Sequence, residues 1–276
     1  MSVADSTASV DGRIAIVTGA SAGIGRALAR DLARGGARLV VNARREEPLQ
    51  QLREEFGSDR VAVVAGDAAD AGLITELLDR ARETFGADAD LVAINAGRGL
   101  RGSVFDSDTG QWEEMLRTNI LGASLLMRAA AERMVAMLPD VSAEPGAFED
   151  AWAKVVADGR PCRDIVVLGS TVGRHISPFS SMYGASKFAV NSLAEALRRQ
   201  LAGSGVRVTL IEPGVVRTEF QESAGYEMDG FGAFMERVGP VLTAEDVSRS
   251  ILFTVSQPPA IHVNDVMIRP TRQEYP

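Results

Sequence analysis

The chain has 276 residues and a formal net charge of −8, with 46% hydrophobic and 5% aromatic residues. That apolar fraction fits a folded globular protein, and the acidic balance argues against a nucleic-acid partner held by phosphate charge. A single cysteine, Cys162, excludes an internal disulfide and a cysteine-built zinc site, two histidines (His175 and His262) argue against a metal site, and no apolar run approaches the ~20 residues of a membrane span.

Residues 1–12 read as a flexible tail. Met1–Asp11 is small and polar, without the basic and apolar regions of a secretory leader, so a cytoplasmic protein is expected. The short apolar runs Arg13–Thr18, Arg38–Ala43, Arg60–Ala65, Leu91–Asn95, Asp164–Leu168, Val206–Ile211 and His262–Ile268 read as strands. Between them helices are expected over Ile24–Arg34 (stopped by Gly35-Gly36), Glu46–Phe56, Gly72–Phe85, Thr109–Arg117, Ile120–Met137, Ser181–Ala202, Phe231–Val238 and Ala244–Ser256. Strands alternating with helices of 10–15 residues mean βαβ units, and strands apolar throughout mean helices on both faces. The expectation is one α/β domain over 13–276, a doubly wound Rossmann-type fold with about seven parallel strands.

Leu138–Arg163 interrupts this rhythm. It is acidic and bracketed by Pro139 and Pro161, and Phe148, Trp152, Val155 and Val156 fall on one face of a short helix. Such an insertion either packs on its own domain or supplies an oligomer contact or pocket wall.

Thr18–Gly25 (TGASAGIG) lies between the first strand and first helix, where open α/β sheets bind a dinucleotide. Gly19, Gly23 and Gly25 permit a tight turn and close backbone approach, and the helix start at Ser21–Ile24 offers free N–H groups to a pyrophosphate. At the end of the second strand an acid would favour the ribose hydroxyl of NAD. Here Val41-Asn42-Ala43-Arg44-Arg45 presents two arginines instead, suited to the 2′-phosphate of NADP(H), which is preferred over NAD(H). Alternatively, Arg44 and Arg45 are solvated residues at a helix start.

Tyr183 and Lys187 stand at i and i+4, on one helix face. A nearby ammonium favours phenolate, which would make Tyr183 a general acid for carbonyl reduction or a base for alcohol oxidation. In a chain whose only other lysine is Lys154, the pairing stands out. Ser170 ends the fifth strand at the carboxyl edge, where its hydroxyl would hold a substrate oxygen.

With these motifs in order, followed by Asp67, Asn95-Ala96-Gly97, Asn119 and Pro213-Gly214 with Thr218, the chain resembles the short-chain dehydrogenase/reductase superfamily from about Arg13 onward. The resemblance implies that Tyr183 is the acid/base, that Lys187 binds the nicotinamide ribose and tunes Tyr183, that Ser170 orients the substrate carbonyl, and that Asn119 holds a water in the proton relay. It implies that Asp67 and Ala68 meet the adenine, that Asn95–Gly97 lie along the cofactor, and that Pro213, Gly214, Val216 and Thr218 pass the nicotinamide. Asp67 is alternatively a helix cap, Asn95 a strand-end brace and His175 a solvated loop residue. The second Asn usual before Ala-Gly is Ile94 here. The tail Val263–Gln273, with Gly173-Arg174, resembles the clavulanate dehydrogenase-like and 3-hydroxy acid dehydrogenase-like branch.

The expected activity is thus NADP(H)-dependent interconversion of a ketone or aldehyde and an alcohol on a small molecule, without a metal. Glu219–Gly239, rich in glycine and aromatics, would be a substrate lid favouring an apolar group. An NAD-linked alcohol dehydrogenase or a nucleotide-sensing regulator are the rival readings. The family resemblance also implies a homotetramer or homodimer.

Overall fold

The computed structural model describes residues 10–137, 153, 162–226 and 228–274, with the side chains of 227–231 outside that description. The helix face expected at Phe148–Val156 and most of the N-terminal tail lie outside it. Seven strands run as β1 (Ile14–Thr18), β2 (Arg38–Ala43), β3 (Val61–Ala65), β4 (Leu91–Ile94), β5 (Arg163–Leu168), β6 (Val206–Pro213) and β7 (Asp265–Ile268). All pair in parallel, in the order β3-β2-β1-β4-β5-β6-β7. The order reverses between β1 and β4, which opens a crevice at the carboxyl ends of the strands.

The helices described are α1 (Gly23–Arg34), α2 (Glu47–Phe56), α3 (Ala71–Phe85), α4 (Trp112–Leu116), α5 (Ala123–Ala136), α6 (Ser181–Leu201), α7 (Phe220–Ser223), α8 (Met228–Val238) and α9 (Ala244–Val255). Alternate residues of each strand serve opposite helix layers. Ile14 and Ile16 of β1 join a core with Leu77 of α3, Leu126 and Met134 of α5 and Val190 of α6. Ala15 and Val17 join the opposite core with Leu28 and Leu32 of α1, Leu49 of α2 and Ile251 of α9. This two-sided burial explains strands that are apolar at nearly every position. Each such buried leucine contributes roughly 2–3 kcal/mol of transfer free energy.

Local chemistry sets the ends. Asp70 caps α3 by accepting from the Leu73 amide at 2.8 Å, and Gly86 closes it at φ +80°. Thr243 and Asp246 form a reciprocal capping box at the start of α9. At the amino edge of the sheet, Arg13 bridges Asp90 (2.7 Å) and Asp164 (2.8 Å), and Arg207 also binds Asp164 (2.7 Å). Arg13 and Asp164 are each 1% exposed.

The two helical stretches expected across Thr109–Met137 are one rod with a defect. A 3-10 turn over Thr109–Gln111 leads into α4, and a π-turn over Arg117–Gly122 joins α4 to α5. A π-turn widens the helix by one residue without ending it. The position expected to separate two helices is therefore a local re-aiming of one, and Asn119 sits in it.

Candidate active site

The glycine turn after β1 leaves no space for side chains. Gly19 adopts φ +69°, and a Cβ there would stand 2.7 Å from Asn95 Nδ2. A Cβ on Gly25 would lie 2.4 Å from both Asn95 Nδ2 and the Gly19 carbonyl oxygen. Asn95 makes this fit possible. Its side-chain amide donates to the carbonyls of Thr18 (2.9 Å) and Gly19 (3.3 Å), and its own N–H donates to Thr18 Oγ1. Asn95 is thus a brace between the end of β4 and the turn, as the strand-end alternative held. At the start of α1, Ala22 is extended and provides no side-chain cap. The first N–H groups of the helix therefore face the crevice with the positive end of the helix dipole.

The β2 end runs along the same crevice. The Asn42 amide donates to the carbonyls of Val64 and Gly66, fixing the edge from which Arg44 and Arg45 project. Arg44 pairs with Glu114 at 3.0 Å, and Arg45 pairs with Glu219 at 3.1 Å. Glu114 also pairs with Arg98. Asp67 accepts from the Ala69 amide (2.9 Å) and pairs with Arg117 (2.7 Å). The helix cap is Asp70, so Asp67 is a turn residue at the cleft wall.

At the β5 end, Ser170 starts a 3-10 turn (Thr171–Gly173) and its hydroxyl interacts with the Tyr183 phenol. Tyr183 and Lys187 lie one turn apart on α6, both nearly buried. The Lys187 ammonium donates to the Leu168 carbonyl at 2.6 Å and lies 5.9 Å from the Tyr183 ring centre. Burial pushes the Lys187 pKa down to about 8. Burial also raises the Tyr183 phenol above its ordinary value, opposed only by the Ser170 hydroxyl. The lowering of the tyrosine expected from Lys187 is not among the causes of this shift. The ammonium is aimed at a backbone carbonyl, and desolvation of the phenol wins.

Asn119 does not line the cleft. Its side chain accepts from the Arg98 amide (2.8 Å) and donates to the Arg98 carbonyl (2.8 Å) and to Ser186 Oγ (3.0 Å). Ser186 Oγ in turn donates to the Tyr183 carbonyl at 2.7 Å. The side chain thus ties the π-turn to the helix that carries Tyr183 and Lys187. Ser186 was not singled out by sequence reasoning; its place between those two residues was the available signal.

One cleft of about 2220 Å³ gathers Gly19, Ser21, Gly23, Ile24, Arg44, Arg45, Asp67, Ala68, Asn95, Ala96, Gly97, Ser170, Tyr183, Lys187, Pro213, Gly214, Val216 and Thr218. Of the sequence-predicted site residues only Gly25 and Asn119 stand behind the lining, each in contact with it. The segment expected as a lid contributes Phe220, Tyr226, Phe234 and Val238, and the Phe220 ring sits 5.5 Å from that of Tyr183. Thr218 Oγ1 accepts from the Phe220 amide, so the residue beside the glycine turn also starts α7. The C-terminal stretch Thr271–Glu274 closes the far wall, a role sequence reasoning missed.

No helix among the described residues is long and apolar enough to cross a membrane. An oxidoreductase of Staphylococcus aureus strain MW2 is 30% identical over 258 residues, covering 94% of this chain and 97% of the relative. Farnesol dehydrogenase of Aedes aegypti is 32% identical over 272 residues, covering 96% and 98%. The closed form of serine dehydrogenase complexed with NADP+ superposes with a TM-score of 0.77 at 29% identity, covering 95% and 96%. A family model described as short chain dehydrogenase matches residues 13–142 and 155–229. With the sheet order, the glycine turn and the Ser170, Tyr183 and Lys187 cluster in place, the chain belongs to the short-chain dehydrogenase/reductase family of oxidoreductases.

Proposed function

We propose that the protein is an NADP(H)-dependent oxidoreductase that interconverts a ketone or aldehyde and an alcohol, with Tyr183 as its acid and base. The observation that carries this reading is the meeting of the Ser170 hydroxyl, the Tyr183 phenol and the Lys187 ammonium in the cleft that also holds the glycine turn. The turn fits a dinucleotide because Gly19 and Gly25 let it fold tightly against Asn95 and Ala96, which leaves its backbone and the start of α1 on the cleft.

A nicotinamide held along this cleft would supply or accept the hydride at the substrate carbon. In reduction, the protonated Tyr183 phenol gives its proton to the carbonyl oxygen; in oxidation, the phenolate takes the alcohol proton. A phenol is protonated at neutral pH, as the donor role requires. The Ser170 hydroxyl hydrogen-bonds the reacting oxygen and aligns it with Tyr183. Lys187 keeps a cation within 6 Å of the ring, offsetting phenolate charge when the proton leaves. The Asn119 and Ser186 bonds hold α6 in register with the Arg98 loop.

Arg44 and Arg45 support NADP(H) over NAD(H), as does the NADP+ bound to the serine dehydrogenase relative. That relative and farnesol dehydrogenase are named for hydroxyl-bearing compounds. The aromatic wall of Phe220, Tyr226 and Phe234 favours a substrate with an apolar part. The remaining features follow the family reading: one catalytic domain with an insertion at 138–163, a cytoplasmic setting, and a homodimer or homotetramer.

The test is NADPH consumption across a panel of aldehydes and ketones. Turnover that falls by 10²-fold or more in Tyr183→Phe, with NADPH binding retained, is the expected result. NADPH binding without turnover on any substrate would favour the nucleotide-sensing alternative.

A further inference from the structure

The tail beyond β7 returns to the cleft. Gly214 donates to the Ile268 carbonyl at 2.7 Å at the end of β7, and the Gln273 amide donates to the Pro270 carbonyl at 2.9 Å. This second turn carries Gln273 onto the Pro213–Thr218 passage, which lines the same cleft as the glycine turn. Gln273 is only 7% exposed. Its Oε1 accepts the Val215 amide at 2.9 Å. A Cβ on Gly214 would stand 2.3 Å from that same oxygen, so the glutamine head fills the space beside the glycine.

The passage is otherwise tied by the Gln221 side chain, which donates to the Val216 carbonyl (2.7 Å) and accepts the Thr218 amide (3.2 Å), and by backbone. The Arg217 amide donates to the Leu242 carbonyl, and the Leu242 amide donates to the Val215 carbonyl. Gln273 is the side chain that fixes the Val215 amide. The Val215 amide is partly buried, and a half-buried N–H that loses its acceptor is costly, so loss of Oε1 would make the passage turn to find another partner.

We propose that Gln273 is a positioning residue for the cofactor, setting the backbone of Gly214 and Val215 against which the nicotinamide end of the dinucleotide rests. The inference depends on the reading of this cleft as a nicotinamide site. It assigns to the far end of the chain a part in shaping that site, acting through the passage rather than by touching the reacting atoms.

The test compares Gln273→Met, close in shape but without the acceptor, with Gln273→Glu, which keeps an acceptor oxygen at the same reach. NADPH affinity is measured by fluorescence titration, and exchange of the Val215 amide by hydrogen–deuterium exchange in the ligand-free protein. In Gln273→Met the NADPH dissociation constant rises about tenfold and Val215 exchange accelerates, while Gln273→Glu restores both to within about threefold. Should Gln273→Met not fold, Gln273→Asn, which withdraws the acceptor by one methylene, takes its place with the same expectation. Wild-type affinity and unchanged Val215 exchange in the folded variant overturn the role of Gln273 alone. A wild-type protein that binds no nicotinamide dinucleotide overturns the functional reading and this inference together.

Discussion

The Lys187 ammonium stands 5.9 Å from the centre of the Tyr183 ring, yet its hydrogen bond goes to the Leu168 carbonyl. The two groups respond to burial in opposite senses: the lysine is pushed down to about 8 and the tyrosine upward. Both shifts favour the neutral forms. At neutral pH the site therefore holds a protonated phenol and an ammonium that loses its charge within one or two pH units.

This arrangement sets the pH dependence. The reductive kcat/KM is expected to be level near neutrality and to decline above about pH 8, as Lys187 loses its proton. In Lys187→Arg the rate is lower, but the alkaline limb moves beyond pH 10 because a guanidinium stays charged. A limb that remains near pH 8 in this variant would assign it to another group.

On the proposed reading, cofactor choice would rest on two arginines that are held in ion pairs at the mouth of the cleft. Arg44 with Glu114 and Arg45 with Glu219 are exposed, and such pairs contribute about 0–1 kcal/mol each. A 2′-phosphate, offering more charge to the same planar donors, would displace those carboxylates. Arg44→Ala combined with Arg45→Ala is expected to raise the KM for NADPH by about 10–100-fold while leaving NADH within about threefold. Glu219→Gln frees Arg45 and is expected to lower the KM for NADPH a few-fold. Steady-state kinetics with both cofactors check this, and an unchanged NADPH-to-NADH ratio in the double variant would remove the arginines from the selection.

Much of this architecture was legible in the sequence because it rests on local signals. The β2 span Arg38–Ala43 matches residue for residue, since an apolar run between Gly35-Gly36 and the charged Arg44–Glu47 has few other uses. The other strands differ by a few residues at their ends, mainly at the last, where His262–Asn264 precede the ladder. The cleft lining was legible for a related reason: the glycine turn and the strand ends are each contiguous in sequence. What escaped reading depends on contacts between distant segments. Arg13 read as the first residue of an apolar strand, but its guanidinium reaches Asp90, Asp164 and the Val255 carbonyl. Gln273 meets Val215 across 58 positions. The π-turn at Asn119 escaped because one inserted residue shifts the apolar spacing too little to separate it from a break.

The Arg13 cluster gives a stability prediction separate from catalysis. Arg13 is buried against Asp90 and Asp164 and also donates to the carbonyls of Asp90, Cys162 and Val255. Removing one partner of a buried pair leaves charge and carbonyls without donors. Arg13→Met is expected to lose about 3–5 kcal/mol in urea denaturation. The NADPH affinity of the remaining folded protein should not change, because the cluster lies at the opposite edge of the sheet from the cleft.

Glu212, one residue before Pro213 in β6, has no exposed side-chain surface. It receives Arg174 Nε at 2.5 Å and Asn191 Nδ2 at 2.6 Å, and Arg174 also pairs with Asp265. Through Arg174 it anchors the loop that follows Ser170. Burial outweighs the pairing with Arg174 and raises the Glu212 pKa to about 7, with Asp265 adding to the rise. The folded value lies above the unfolded one of about 4.5, so the folded protein keeps a proton that the unfolded chain releases. The stability this provides is full below pH 4.5 and is lost as the pH rises through 7. Glu212→Gln, neutral throughout and still able to accept from Arg174, is expected to remove that slope. Urea midpoints for the two proteins at pH 5 and pH 7.5 measure the difference. The wild type should lose more than the variant over that interval, and parallel losses would mean that Glu212 is not the group responsible.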